Sequence, residues 1–234
     1  RIVFQYVPDR SVRGAMMRTG ETDFIERLTG SDAVTLRRDP QIKVVQVDGV
    51  RYRGLLFRVT VPPYDKKALR QAITYAMDRK AIIDVVEGGF GIPAYGPTGP
   101  VSGVWFDPTF RAFDYDPQKA KEKLTEAGYP GGVALTLGCS SATIDITECE
   151  AYQAVLVRVG INVKLSLVPA GTAFDALQKE SAHFVIGGAS ARADPHINLQ
   201  RWYHSKGASN VGYKIGYKNA EYDRLVDEAG GTYD

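Results

Sequence analysis

Apolar and polar positions along this chain switch repeatedly between a period of two and a period near 3.6, the pattern of short strands separated by amphipathic helices. The first fifty residues read as alternating short units, with strands predicted at Ile2–Val7, Asp23–Ile25 and Lys43–Val47. Between them helices are predicted at Ser11–Thr19 and Ser31–Arg38, the second opened by Ser31 or Asp32. Tyr52–Val61 reads as a further strand, stopped by Pro62-Pro63. The clearest helix follows, because Leu69, Ala72, Ile73, Ala76 and Met77 form one stripe while Arg70, Gln71 and Thr74 lie off it. Asp78 caps a second helix with Ile82, Ile83 and Val86 inward and Gly88-Gly89 as its stop. Stripes of this kind are core packing, not a cofactor box.

Residues 91–114 break the pattern. They are rich in Gly, Pro and aromatics, among them Tyr95, Trp105, Phe106, Phe110 and Phe113. Long irregular loops inside a domain are often functional, although aromatics in a wrapping loop also serve to anchor it. Asp116-Pro117 then starts a helix that buries Ala120, Leu124 and Ala127 and stops at Gly128. Beyond it the pattern is regular: a strand at Val133–Leu137, a helix opened by the capping box Thr147-x-x-Glu150 and closed by Gly160, and an alternating strand at Ile161–Leu167. A short helix at Thr172–Lys179 and a buried strand at Phe184–Ala189 complete a βαβαβ run. Such a run predicts an α/β fold with a mixed, mostly parallel sheet flanked by helices.

Ligands of α/β folds bind beyond the carboxyl ends of the strands. Two such ends fall on one rim here, Gly138-Cys139-Ser140-Ser141 and Ser190-Ala191-Arg192, both rich in small and hydroxyl residues. In the second, Ala189, Ser190 and Ala191 keep the turn open around the lone cation Arg192, and Asp194-Pro195 reads as a cap followed by the first helical residue. The candidate ligand-binding residues are therefore Arg192, Ser190, Ala189, Asp194, Cys139 and Ser140. An ordinary strand-to-helix turn with a solvated Arg192, or an Arg192–Asp194 bridge, is the structural alternative.

Lys and Arg number 29 against 27 Asp and Glu, a formal net charge of +2, with no basic stripe of the kind nucleic acid requires. No apolar run approaches the ~20 residues of a membrane-spanning helix. The chain opens on Arg1-Ile2-Val3-Phe4, already strand-like, and stops just past a helix-like segment, so a piece of a longer protein is expected. Cys139 and Cys149 lie ten residues apart, a spacing open to a disulfide or to two free thiols, but not to structural zinc. His183, His196 and His204 complete no catalytic motif, and no nucleophile elbow or phosphate-binding loop is present. Neither enzymatic activity nor a metal or other cofactor is expected.

Three segments carry a family resemblance. Pro63-Tyr64-Asp65 runs on through Leu69-Arg70-Gln71-Ala72-Ile73-Thr74-Tyr75-Ala76-Met77-Asp78-Arg79. Tyr115-Asp116-Pro117-Gln118-Lys119-Ala120 leads to Ala127-Gly128-Tyr129. His204 to Asn210 is followed by Gly216-Tyr217 and by Asn219-Ala220-Glu221-Tyr222-Asp223. In this order they resemble the periplasmic solute-binding proteins that serve ABC importers of peptides, opines and nickel chelates, the extracellular family 5. Residues 1–25, with Arg13 and Thr19-Gly20-Glu21-Thr22-Asp23, resemble the stretch that precedes them.

The resemblance implies a lobe of the type II periplasmic binding fold. Residues 1–47 would form the edge of a first lobe and the crossover, and residues 48–234 the second, ligand-binding lobe. Most of the first lobe and a returning C-terminal segment would lie outside this stretch. It further implies a periplasmic monomer that closes around a small-molecule or peptide ligand and docks on a membrane permease. Peptide binders of the family place an Asp after a Gly-Trp pair, whereas here Gly188 is followed by Ala189. The turn is closer to a Gly-Trp-Ser-Gly-Arg-x-Asp-Pro subgroup, matched at Ser190, Arg192, Asp194 and Pro195. Arg192 then implies an anionic, carboxylate-bearing ligand. The Asp194-Pro195-His196 end keeps a nickel-chelate binder as the alternative, with a peptide or ester hydrolase or a receptor-like module further off.

Overall fold

The sheet is assembled from four strands. A computed structural model describes residues 1–234 except 8, 27, 48, 50, 142, 170, 171, 191–193, 233 and 234 and the side chains of 143–145. The strands are β1 (Arg51–Phe57), β2 (Val133–Ser140), β3 (Ile161–Val168) and β4 (Phe184–Ser190), in the order β1-β4-β2-β3. β2 runs parallel to β3, from Val133 opposite Ile161 to Ser140 opposite Val168, and parallel to β4 where Gly138 meets Val185. β1 is antiparallel to β4, with Arg51 opposite Ser190 and Phe57 opposite Phe184. The sheet is thus mixed and flanked by helices, as expected.

Two units make up the chain: residues 1–47 with 80–93, and residues 48–79 with 94–234. In the first, α1 (Arg10–Thr19) is capped by Asp9, whose carboxylate accepts the Ser11 amide at 2.8 Å. α2 (Gly30–Leu36) is capped by Thr29 rather than by Ser31 or Asp32. Asp32 instead accepts the Thr29 hydroxyl at 2.7 Å and sits 3.4 Å from Arg18.

The strands expected at Ile2–Val7, Asp23–Ile25 and Lys43–Val47 do not form among the described residues. Alternation makes a strand only where another edge receives its backbone hydrogen bonds. These segments find no such edge among the described residues, and Ile2, Phe4, Tyr6, Phe24 and Val47 are all at least 80% exposed.

In the second unit α3 (Lys67–Tyr75) packs against α5 (Pro117–Glu126), burying Leu69, Ala72, Ile73, Ala120 and Leu124. Between them α4 (Arg79–Glu87) belongs, from Lys80 onward, to the first unit. A 3-10 turn at Pro100–Trp105 lies within the irregular loop. α6 (Thr143–Val157) covers β2 and β3, while α7 (Ala173–Gln178) packs on β4 and β2. α6 begins four residues before the expected capping box, so Thr147 and Glu150 are interior helical residues. α8 (His196–Tyr203) packs on α9 (Ala208–Gly212) and α10 (Ala220–Gly231). Phe184, Leu137, Leu156, Ile161, Leu177 and Val185 form the fully buried centre. Each contributes about 1.5–3 kcal/mol relative to exposure. Phe184 stacks on Phe57 at 5.0 Å and meets Tyr64 at 5.7 Å, tying β1 and β4 to the turn that leads into α3.

The segments that carry the resemblance hold this frame together. Arg70 donates to the carbonyls of Tyr64 and Asp65 at 2.5 and 2.9 Å, fixing the turn into α3. Arg79 donates to the Ala94 and Phe113 carbonyls, and the ring of Tyr95 lies between the guanidinium groups of Arg79 and Arg111 at 4.6 and 4.7 Å. Asp116 caps α5 through the Lys119 amide, which holds its carboxyl below the usual range. Asn210, 2% exposed, donates to the His204 and Tyr217 carbonyls and accepts from the Gly216 and Tyr217 amides. Gly216 takes φ 81° there, which a side chain would strain.

Among the described residues β3 is one edge of the sheet and β1 the other. Val133 donates to Gly160 and Ser141 to Val168, so the even-numbered residues of β3 face β2 and the backbones of Ile161, Val163, Leu165 and Leu167 face outward. The side-chain amide of Gln153, on α6, donates to the outward carbonyl of Val163 at 2.6 Å.

Candidate ligand-binding rim

β2 and β4 are parallel neighbours, so their carboxyl ends bring Ser140 and Ser190 to one rim of the sheet. Ser190 is exposed and ends β4. Its carbonyl accepts the side-chain amide of Asn198, on α8, at 2.7 Å. Asp194 is exposed and its carboxylate accepts the His196 amide at 2.8 Å, but α8 starts at His196 with Pro195 at the cap position, one residue later than the Asp-Pro pair implies. Arg192, with Ala191 and Ala193, lies outside the described residues.

Cys139 is fully buried and joined to Cys149 on α6, with Cα atoms 6.2 Å apart. Of the two readings left open by spacing, the structure takes the disulfide. Cys139 therefore offers the rim its backbone and a fixed strand end, not an exposed sulfur.

β1 supplies what the sequence reading overlooked. Because it runs antiparallel to β4, its first residues reach the same rim: Arg51 faces Ser190, Tyr52 faces Ala189 and Arg53 faces Gly188. Strand periodicity puts Arg51 and Arg53 on one face and Tyr52 on the other. Arg53 pairs with Glu148 of α6, leaving 32% of its own side chain exposed but only 6% of the carboxylate's. Glu148 directly precedes the disulfide-bonded Cys149. Tyr152, one turn along α6, is pushed up in pKa by burial and by the Glu148 charge. On the opposite face Tyr52 hydrogen-bonds Tyr203, and burial raises the pKa of both. Gly188 is required where the strands approach, since a Cβ there would lie 2.3 Å from the Tyr52 carbonyl oxygen. A signal for Arg53 did exist in the sequence: it is a basic residue near the start of the strand predicted at Tyr52–Val61.

The histidines are dispersed. His183 sits beside Arg58 at 3.3 Å, where burial and then that cation lower its pKa. His196 packs against Gly230, at which a Cβ would come within 2.6 Å of the ring. His204 is buried and its Nδ1 accepts the Lys206 amide. Among the described residues there is no group of three or more His, Cys, Asp or Glu that could hold a metal ion. Nor is any helix among them long and apolar enough to cross a membrane. Gln153, Ala154, Val157, Asn162 and Val163 line a shallow depression between α6 and the start of β3, at the end of that strand away from the rim.

The chain is 31% identical over its full length to the glutathione-binding protein GsiB of Shigella flexneri, spanning 47% of that protein. It is 30% identical over 98% of its length to heme-binding protein A of Haemophilus influenzae, spanning 43% of it. It thus covers about half the length of the curated relatives it matches. Among solved structures, the periplasmic binding protein DppA of Helicobacter pylori, in complex with the peptide STSA, superposes with a TM-score of 0.87. That match has 26% identity over 97% of this chain and 45% of DppA. Residues 1–210 match the model of the bacterial extracellular solute-binding proteins, family 5, middle region. The chain belongs to the family 5 extracellular solute-binding proteins.

Proposed function

We propose that this chain is the ligand-binding part of a periplasmic solute-binding protein that delivers a peptide or peptide-like anionic small molecule to an ABC importer. In this reading residues 1–47 belong to the edge of a first lobe and residues 48–234 to the second. Cargo is captured by hinge closure, and the closed monomer docks on a membrane permease without catalysing a reaction. The observation that carries the reading is the rim itself. Two strand ends bearing Ser140 and Ser190 converge beside a cation-rich β1, on a fold that superposes on a peptide-bound family member.

Arg192 is the proposed principal charged contact from the β4 turn, with Ala189, Ser190, Asp194, Ser140 and the backbone of Cys139 around it. A nickel-chelate role is less favoured, because His196 is committed to packing on Gly230 rather than offered to the rim. The same packing counts against a Ser190–His196 hydrolase.

Native mass spectrometry of the full-length protein purified from its own host tests the proposal, the expected result being a retained peptide-like anion. A retained metal chelate would replace this reading. Arg192→Ala in the full-length protein is expected to weaken cargo binding at least about tenfold with little change in melting temperature, since loss of a buried charged contact costs on the order of 2–5 kcal/mol. Unchanged affinity with a lower melting temperature would make Arg192 a structural bridge.

A further inference from the structure

We propose that Arg58, His183, Glu180 and Lys214 form an acid-sensitive clasp, which fastens the turn at residues 213–216 to the start of β4 and releases it as the medium acidifies. His183 directly precedes β4 and Arg58 directly follows β1, at the end of both strands away from the ligand-binding rim. The clasp is therefore independent of what the rim binds.

Three segments distant in the chain meet there. The Arg58 amide donates to the His183 carbonyl at 2.9 Å, and the Val59 amide to the Ile215 carbonyl at 2.8 Å. The Arg58 side chain is buried and brings Nη1 to 3.3 Å from both His183 Nδ1 and the Glu180 carboxylate. Its Nε donates to the Lys214 carbonyl at 3.3 Å. Glu180 in turn holds the Lys214 ammonium at 2.6 Å. Both partners of that last pair have left-handed backbone, Glu180 with φ 63° and Lys214 with φ 54°. Residues with a side chain seldom adopt it, because Cβ crowds the following carbonyl. The ion pair thus joins two strained turns, each held by its contact with the other.

The arrangement needs a neutral His183. Nδ1 accepts from Arg58 only while it carries no proton, and burial and then the Arg58 cation hold the imidazole below its usual range. The charged groups around it are Arg58 from the end of β1, Glu180 from its own turn and, beyond Glu180, Lys214. A proton on His183 removes the acceptor, sets a second cation against Arg58 and competes with Lys214 for Glu180. Because the fold lowers its pKa, the contribution of neutral His183 is complete above about pH 6.5 and is lost as pH falls through the folded value. Lys214 and then Arg58 hold Glu180 below the usual carboxylate range of ~4.3, so acid acts on His183 first. The turn that is released carries Tyr213, whose ring stacks on Phe174 of α7 at 4.7 Å and on Trp202 of α8 at 5.8 Å. Acidity is thereby coupled to the packing of both helices.

Hydrogen exchange of the full-length protein at about pH 7 and about pH 5, read as protection factors corrected for intrinsic rates, tests the clasp. The amides of Lys214 and Ile215, bonded to the Val211 and Asn210 carbonyls, report on the turn. In the wild type their protection is expected to fall by about fivefold to thirtyfold, the ceiling being set by the ~1.5 pH units between ~6.5 and ~5. Protection in β2 and β3 is expected to change by less than about twofold. His183→Asn keeps an acceptor near Nδ1 but does not titrate, and should hold protection of the turn within about twofold over the same range. Glu180→Gln removes the carboxylate charge at either pH and carries the test if the first variant folds poorly. Its turn should exchange at about pH 7 as the wild type does at about pH 5. Unchanged protection in the wild type, or an equal loss across the sheet, overturns the proposal. So does a fall retained in folded His183→Asn, or a Glu180→Gln turn as protected as wild type at neutral pH.

Discussion

The side-chain amide of Asn198 donates to the carbonyl of Ser190 at 2.7 Å, tying the last residue of β4 to the first turn of α8. Asn198 is 5% exposed while Ser190 is exposed, so this bond is partly buried. Asn198→Ala removes the donor and with it the net contribution of the bond, about 0.5–1.5 kcal/mol. Chemical denaturation should show that decrease, and amide exchange should quicken near residues 194–199. A variant as stable as wild type would mean that water takes the donor's place.

Removing the Cys139–Cys149 bond should lower stability by about 3 kcal/mol, the chain-entropy value for so short a loop. Cys139→Ala/Cys149→Ala is the suitable variant, since both sulfurs are fully enclosed and a single change would strand one thiol. The same enclosure predicts that the native protein resists dithiothreitol until it unfolds. Thiol titration under native and denaturing conditions checks this, and rapid native reduction would contradict it.

Gly188→Ala is expected to cost about 1–3 kcal/mol, because its Cβ would press on the backbone of Tyr52 and force β1 and β4 apart. A Cβ at Gly54, on β1, would meet no atom within 4 Å, so Gly54→Ala is the control and should be tolerated. Thermal melts of the pair decide the matter. Equal melting temperatures would show that the strands yield without cost.

Alkali should expose a second class of tyrosines. Burial pushes Tyr64 up to about 12 and also raises Tyr152, Tyr203 and Tyr222. The folded state keeps these phenols neutral, while in the unfolded chain they ionise near ~10. Stability is therefore complete below about pH 10 and falls as pH rises towards 12, with the unfolded state ionising first. Of the 13 tyrosines, the exposed ones should titrate reversibly and these four only as the fold is lost. A single titrating class near ~10 with circular dichroism unchanged would refute the expectation.

Much of the second unit was legible in the sequence because its periodicities coincide with local signals. α5 has Asp116-Pro117 at its start and Gly128 just past its end, and β3 alternates without interruption. The first 47 residues were misread because strand pairing is non-local: the apolar run from Ile2 to Val7 finds no partner edge among the described residues. α6 was misread for another reason. Thr147 and Glu150 have capping chemistry, but the helix had already begun at Thr143. At the rim, the strand ends could be placed from the βαβαβ order. The approach of Arg53 to Glu148 could not, because it depends on β1 joining β4 antiparallel from far away in the chain, with β2, α6 and β3 between them.

Gln153 guards one edge of the sheet. Every second backbone unit of β3 points outward, and the acceptor on Val163, among them, is already engaged by the Gln153 side chain. A foreign strand seeking to extend the sheet would have to evict that amide before it could register with β3. At that point the β3 edge is guarded by a helix-borne side chain rather than by a charge or a proline, which opposes the self-association that open strands invite while a chain is concentrated or only partly folded.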